Sequence, residues 1–351
     1  MSTETTTSSP VPQMQYVRLG NTGLRVSRLC LGCMSFGLPA WSPWVKEEKE
    51  GIEVIRAAVK LGVNFFDTAD TYSNGTSEEI LGKAIKGMER SRIVIATKVF
   101  GPVFDDVNRF DRTGMKEDPA LVNRIGLSRK HIFDAVDASL KRLDVDYIDL
   151  YQIHRLDRDT PMEEIMEALN DVVRSGKVRY IGASSMDAWE FQKLNRIAEK
   201  NGWAQFVSMQ NLYNLLYREE EREMAPYCQD AKIGWIPWSP LATGELTGKN
   251  RSTTRSRSGF TMDSMLSVTR DEVANNTTID RVQEIAQKYN ATCAQIALAW
   301  EYTKPYVSSP IVGISRIEQL KDLIRALDVK LTEEDVKYLE EPYNPKRKLV
   351  V

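Results

Sequence analysis

The stretch FFDTADTYSNG, Phe65–Gly75, begins as an apolar run and within three residues breaks into acids, a tyrosine and a glycine. A short apolar run reads as a strand buried on both faces, and its abrupt polar end marks where the strand leaves the core. Asp67, Asp70 and Tyr72 therefore stand at a strand's C-terminal end or in the loop after it. Whether the rest of the chain repeats this unit decides the fold.

It does. Strand-like runs occur at 28–34 (RLCLGCM), 64–68 (NFFDT), 92–99 (RIVIATKV) and 147–154 (YIDLYQIH), then at 178–184, 204–210, 232–240 and 307–315. Helical patterns separate them. Around Glu47–Leu61, Ile52, Ile55, Ala58 and Val59 share one face; SEEILGKAIKG follows with Ser77 as its expected cap. Ser128 is the expected cap of the helix ending at Leu143, and Pro161 and Gly176 bracket the one after. Further helices are expected at 187–202, 218–231, 278–289, 292–302 and 316–327. A hairpin turned at Asn21–Gly23 precedes the first unit. Eight β-then-α units in order predict an α/β fold, the (β/α)8 or TIM barrel, with that N-terminal hairpin and long loops on the C-terminal face. A doubly wound sheet is the other arrangement such units permit, but no G-x-G-x-x-G follows any strand.

The expected organisation is a tail at 1–14, one barrel domain at 15–345 and a short tail at 346–351. The opening MSTETTTSSPVPQ has neither the basic start nor the apolar centre of a secretory signal and reads as disordered, so the expected location is cytoplasmic. No run of about 18 apolar residues predicts a membrane span. A net charge of -2 argues against a nucleic-acid partner. Four scattered cysteines do not make a disulfide framework, and Cys30 and Cys33, three apart, read as core residues facing opposite sides. No metal site is expected.

In such a barrel the active site lies where strands end. Those ends carry Asp67, Asp70 and Tyr72; Lys98; His154; Ser184 and Ser185; Gln210 and Asn211; Trp238 and Ser239; Gly313 and Ser315. A lone lysine or aspartate there is usually a solvated rim residue. Four acid–base groups on three consecutive strand ends exceed what stability requires. A phenol with a pKa of about 10 is a poor proton donor at neutral pH, and an adjacent ammonium lowers that value. Lys98 is expected to bring Tyr72 toward working pH, Asp67 to hold Lys98 charged, and His154 to orient a substrate oxygen. Asp67 and Asp70 as a hydrolytic carboxylate pair is the remote reading, because both stand on one short loop.

DTADTY, TK, QIH and GASS in that order resemble the aldo-keto reductases, barrel enzymes that bind NADPH without a Rossmann motif, and the resemblance runs from Tyr16 to Tyr343. PWSPLATGELTGK and PIVGISRIEQL resemble the long-loop branch of aryl-alcohol dehydrogenases and potassium-channel β subunits. GLSRKHIFDAVDASLKRL and SGKVRYIGASSMDAWEFQ are most similar to its fungal, versiconal hemiacetal acetate reductase-like group. The resemblance implies a catalytic tetrad of Asp67, Tyr72, Lys98 and His154 and a cofactor site for NADPH/NADP+, which Asp67 also borders. Ser184, Ser185 and Gln210 would hold the carboxamide, Trp238 would stack on the nicotinamide, and Ser239, Pro240, Leu241 and Thr243 would follow the pyrophosphate. Gly313, Ser315, Gln319 and Asp322 would hold the adenosine end. Arg316 and a lid bearing Lys249, Arg251, Arg255 and Arg257 would favour NADPH over NADH. Two positions depart from the family pattern: Leu323 stands where an asparagine is usual, and Ser185 where many members carry Asn or Arg.

The implied activity is reduction of an aldehyde or ketone, aromatic or from secondary metabolism, with Tyr72 as general acid. Phe36, Trp41 and Trp44, in SFGLPAWSPW, are expected either to line an aromatic-tolerant pocket or to cover the barrel edge. The alternative within the branch is a cofactor-sensing regulatory subunit with little turnover. His154 favours the enzyme, since the channel-associated members tend to lack it.

Overall fold

A computed structural model describes residues 11–115, 117–248 and 271–348. The strands β1 (Tyr16–Arg18) and β2 (Arg25–Ser27) form the expected antiparallel hairpin, Leu19 N–H donating to Leu24 O across its turn. Eight parallel strands follow: β3 (Cys30–Gly32), β4 (Phe65–Asp67), β5 (Val94–Val99), β6 (Ile148–Ile153), β7 (Val178–Ser184), β8 (Phe206–Gln210), β9 (Gly234–Trp235) and β10 (Ile311–Gly313). Their order is β10-β3-β4-β5-β6-β7-β8-β9, and parallel bridges from Trp235 to Val307 and from Trp238 to Ile311 join its two ends. The sheet thus closes as a (β/α)8 barrel.

Helices α1 (Glu48–Lys60), α2 (Thr76–Ile85), α3 (Arg129–Leu143), α4 (Met162–Arg174), α5 (Ala188–Asn201) and α6 (Met224–Asp230) alternate with β3 to β9. The helices α7 (Glu272–Lys288) and α8 (Cys293–Tyr302) precede β10, while α9 (Ile317–Ile324) and α10 (Glu333–Glu340) follow it.

Period-two alternation sorts the strand residues. Phe66, Ile95, Tyr151 and Ile153 point outward into the core shared with the helices. Phe65, Ala96, Leu150 and Ile311 point inward, joined by Cys30, Leu19 and Val26. Cys30 and Cys33 fall in different clusters, as their spacing implies, and both are free thiols. The hairpin plugs the N-terminal end of the barrel: Gly20, at φ 57°, lies so close to β9 that a Cβ there would meet Gly234 N at 2.7 Å. The inner row therefore has one open end. One step past Phe65, Ala96 and Leu150 on the same face come Asp67, Lys98 and Gln152.

Several local expectations are corrected. Gly75, left-handed at φ 89°, caps α2, and Ser77 instead lies inside the helix. Its hydroxyl contacts Thr68 Oγ1 at 2.9 Å and donates to Cys33 O at 2.8 Å, tying the exits of β3 and β4 to α2. The 218–231 helix is only α6 after a short 3-10 turn. Pro226 has no N–H and fits only the first turn, so the α-helix starts at Met224. β9 is short because Pro237 and Pro240 cannot donate to a ladder. α7 starts at Glu272, earlier than expected, where Asp271 accepts from Ala274 N–H. The 1–10 tail and the lid cations Lys249, Arg251, Arg255 and Arg257 lie outside the described residues. No described helix is long and apolar enough to cross a membrane.

Candidate active site

The parallel register sets Asp67 beside Ala96 and Lys98 beside Gln152, so three polar side chains from adjacent strands meet at the top of the lumen. Lys98 Nζ donates to Asp67 Oδ1 at 2.5 Å, to Thr68 O at 2.8 Å and to Tyr72 Oη at 3.2 Å. All three donors of the ammonium are engaged, as burial without solvent exposure requires. Asp67 Oδ2 accepts from Gln152 Nε2 at 3.0 Å and from Gln210 Nε2 at 2.9 Å, and the two amides are themselves bonded at 3.1 Å. A buried ion pair with its remaining lone pairs satisfied is the arrangement in which Coulomb attraction offsets desolvation.

Tyr72 follows β4 on a 3-10 turn, its ring edge-on to His154 with centroids 5.7 Å apart. The backbone N–H of His154 donates to Val99 O at 2.9 Å, continuing the β5–β6 pairing to the rim. Trp41 stacks on Tyr72 with ring centroids 6.0 Å apart, and Trp44 lies 5.9 Å from Trp41. These two tryptophans border the site. Phe36 does not: it is fully buried in the outer core.

Electrostatics correct the sequence reading of the phenol. Burial pushes the Tyr72 phenol above its ordinary value; the Lys98 ammonium pulls it down without overcoming that rise, to which Asp67 adds. Tyr72 thus rests as a protonated donor. Burial alone would lower Lys98, but Asp67 and Tyr72 outweigh it and hold the ammonium above its ordinary value. Burial, then the nearby Arg155, Lys98 and Arg112, hold His154 far below the usual imidazole range. Its ring is neutral at physiological pH and keeps one N–H to donate.

Asp70 answers differently from Asp67. Its carboxyl is buried away from the ammonium, among Glu78, Arg142 and Arg112, and burial first, then Glu78, raises it to about 8. It does not pair with Asp67.

On the far half of the rim, Ser184 Oγ donates to Gln210 O at 2.7 Å and stands 3.2 Å from Ser185 Oγ. Ser185 is left-handed at φ 51°, and its N–H donates to Asn211 Oδ1 at 2.8 Å. Asn211 Nδ2 in turn donates to Glu220 at 2.7 Å. Trp238, partly buried, extends β8 and β9 through its N–H to Asn211 O at 3.0 Å. Past Pro240 the chain turns through left-handed Ala242 at φ 49° and Thr243 at φ 56°, Ala242 N–H donating to Ser239 O at 2.9 Å and Gly244 N–H to Leu241 O at 2.8 Å. At the β10 exit Gly313 and Arg316 are exposed, and Gln319 Oε1 accepts from the N–H groups of Ser315 and Arg316 at 2.9 and 3.1 Å. Asp322 is engaged with Gln295 Nε2 at 2.7 Å and Thr292 Oγ1 at 3.1 Å. No group of acids, histidines and cysteines among the described residues could hold a metal.

Comparison with known proteins decides the family. The aldo/keto reductase family profile matches residues 28–344. The chain belongs to that family. It is 51% identical over 340 residues to versiconal hemiacetal acetate reductase of Aspergillus parasiticus, covering 95% of this chain and 98% of that protein. A Schizosaccharomyces pombe protein with an aryl-alcohol dehydrogenase name is 50% identical, with 96% and 98% covered. An aldo-keto reductase of Fusarium vanettenii is 41% identical, with 95% and 92% covered. Family membership carries the coarse chemistry with it: an oxidoreductase that reduces carbonyl groups.

In this aldo/keto reductase the strand ends bring Asp67, Tyr72, Lys98 and His154 together with Gln210. Ser184, Ser185, Trp238 to Thr243, Gly313, Ser315, Arg316, Gln319 and Asp322 fall on the other arc of the same rim. Gln152, Arg112 and Arg155 join the site without a motif that marks them in the sequence. The signal for Gln152 was parity, since it lies between Leu150 and His154 on the inward face of β6.

Proposed function

We propose that this chain is an NADPH-dependent reductase of an aldehyde or ketone, with an aromatic or secondary-metabolite carbonyl as substrate and Tyr72 as the general acid. The carrying observation is Lys98 Nζ placed between Asp67 and Tyr72, with a neutral His154 against the phenol ring. The names of the relatives support the substrate class.

The rim fits a dinucleotide. The Ser184–Ser185–Gln210 group offers donors and acceptors to an amide, the Ser239–Thr243 turn stands where the family resemblance puts the pyrophosphate, and the exposed Arg316 suits a 2′-phosphate. When bound, NADPH supplies the hydride that the carbonyl carbon accepts. The protein's own residues handle the oxygen. His154 donates an N–H to it and sets its position. Tyr72 then gives it the phenolic proton, and Lys98 stabilises the phenolate left behind until a solvent proton restores it. Asp67, held by Gln152 and Gln210, keeps Lys98 charged and in place.

Absorbance at 340 nm follows the reaction with 4-nitrobenzaldehyde. Substrate-dependent consumption of NADPH is expected; its absence across aldehydes, ketones and hemiacetals would instead favour the cofactor-sensing regulator. Dissociation constants that match for NADPH and NADH would remove the cofactor preference.

A further inference from the structure

Two arginines stand beside the acid and, beyond helping to keep His154 neutral, have no role in the scheme above. Arg112, in the segment between β5 and α3, donates from Nη2 to Thr71 Oγ1, the residue before Tyr72. Its other terminal nitrogen lies 3.6 Å from where a Cβ on Gly101 would stand, at the β5 exit. Arg155 follows His154 directly and donates from Nη1 to His154 O at 2.6 Å. Both guanidiniums thus sit over β4 to β6, the arc of Tyr72 and His154. The dinucleotide residues occupy the other arc, from β7 to β10.

Neither arginine has an ion-pair partner among the described residues, whereas several partly buried arginines do. Arg142 meets Glu78 at 2.6 Å, Arg90 meets Asp149 at 2.6 Å, and Arg218 meets both Glu221 and Glu340. Arg155 is half-buried and Arg112 stays exposed on the loop; desolvation lowers both guanidiniums, and no carboxylate pairs with either among the described residues. Asp70, the carboxyl that acts on Arg112, is itself raised to about 8 and so carries little charge at neutral pH. Two under-compensated guanidiniums flanking a reacting oxygen are suited to a carboxylate, which takes paired N–H donors.

Building on the reductase reading, we infer that the substrate is a carbonyl acid, its carboxylate received by Arg112 and Arg155 and its body lying against Trp41. The arginines are specificity residues; the proton and hydride go to the carbonyl as before.

The test compares 4-carboxybenzaldehyde with methyl 4-formylbenzoate, a neutral analogue of similar shape, in the intact protein with NADPH. The wild type is expected to favour the acid by at least tenfold in kcat/KM, and added salt should shrink the ratio. Arg155→Met and Arg112→Met should each move the ratio toward one, and Arg155→Lys should retain part of it, which a merely structural role would not do. Binding gives a readout apart from turnover: 4-(hydroxymethyl)benzoate should quench tryptophan fluorescence of the NADP+-saturated protein at lower concentration than its methyl ester does. A wild-type ratio at or below one overturns the inference while ester reduction leaves the reductase reading intact. If neither aldehyde is reduced, the reductase reading fails, and the binding comparison still decides whether a carboxylate is recognised.

Discussion

Replacing Lys98 with methionine keeps most of the side chain's volume and removes its charge. Lys98 Nζ lies 3.2 Å from the Tyr72 oxygen, and at an effective dielectric of about 20 its attraction for a phenolate there is about 5 kcal/mol. That energy is absent in the resting state, where the phenol is protonated, and is realised as the proton leaves. It therefore falls on the barrier, and kcat for carbonyl reduction should drop about 10³- to 10⁴-fold. The substitution also strands Asp67, fully buried, without its cation, which costs about 3–5 kcal/mol of stability. Pairing Lys98→Met with Asp67→Asn should recover much of that stability and none of the rate. Steady-state NADPH oxidation and urea unfolding of the single and double variants separate the two effects. A folded Lys98→Met protein within tenfold of wild-type kcat would refute the role given to the ammonium.

Further outcomes follow from neighbouring groups. Gln152→Leu removes one donor from Asp67 Oδ2, and a hydrogen bond to a charged group is worth about 1.5–3 kcal/mol, so both unfolding free energy and kcat should fall. Asp70, raised to about 8, binds its proton more tightly in the native state than when unfolded. Its contribution is thus fully present at low pH and is lost as pH rises from about 4 toward 8, at no more than about 1.4 kcal/mol per pH unit. Asp70→Asn should flatten that part of the stability–pH curve, read by urea unfolding at a series of pH values. With Tyr72 raised and His154 lowered, kcat/KM for reduction should stay level through neutral pH and decline on the alkaline side only above the ordinary range of a phenol. A decline centred near 7 would contradict both assignments.

The barrel was legible in the sequence because its strands are short apolar runs that end in polar residues, and period two then fixes which residues share the lumen. Asp67, Lys98 and His154 could be placed together from that rule alone. Gln152 obeys the same rule but offers an amide rather than a titratable group, so its residue type carries no acid–base signal. The direction of the Tyr72 shift was not readable, because it depends on how much solvent the folded loops remove, a quantity that spacing does not contain. Asp70 lies beyond the strand, where alternation no longer governs, and only the turn into α2 sends it toward Arg142 and Glu78. Arg112 came from a loop with no periodicity, and only the fold brings it to Thr71.

The most direct measurement is a single turnover of Tyr72→Phe, loaded with NADPH and mixed with an aldehyde, alongside its dissociation constant for NADPH. Loss of the proton donor should slow reduction by at least about 10²-fold while cofactor affinity stays within twofold of wild type. A variant that reduces the aldehyde at a tenth of the wild-type rate or faster would show that the oxygen takes its proton from elsewhere.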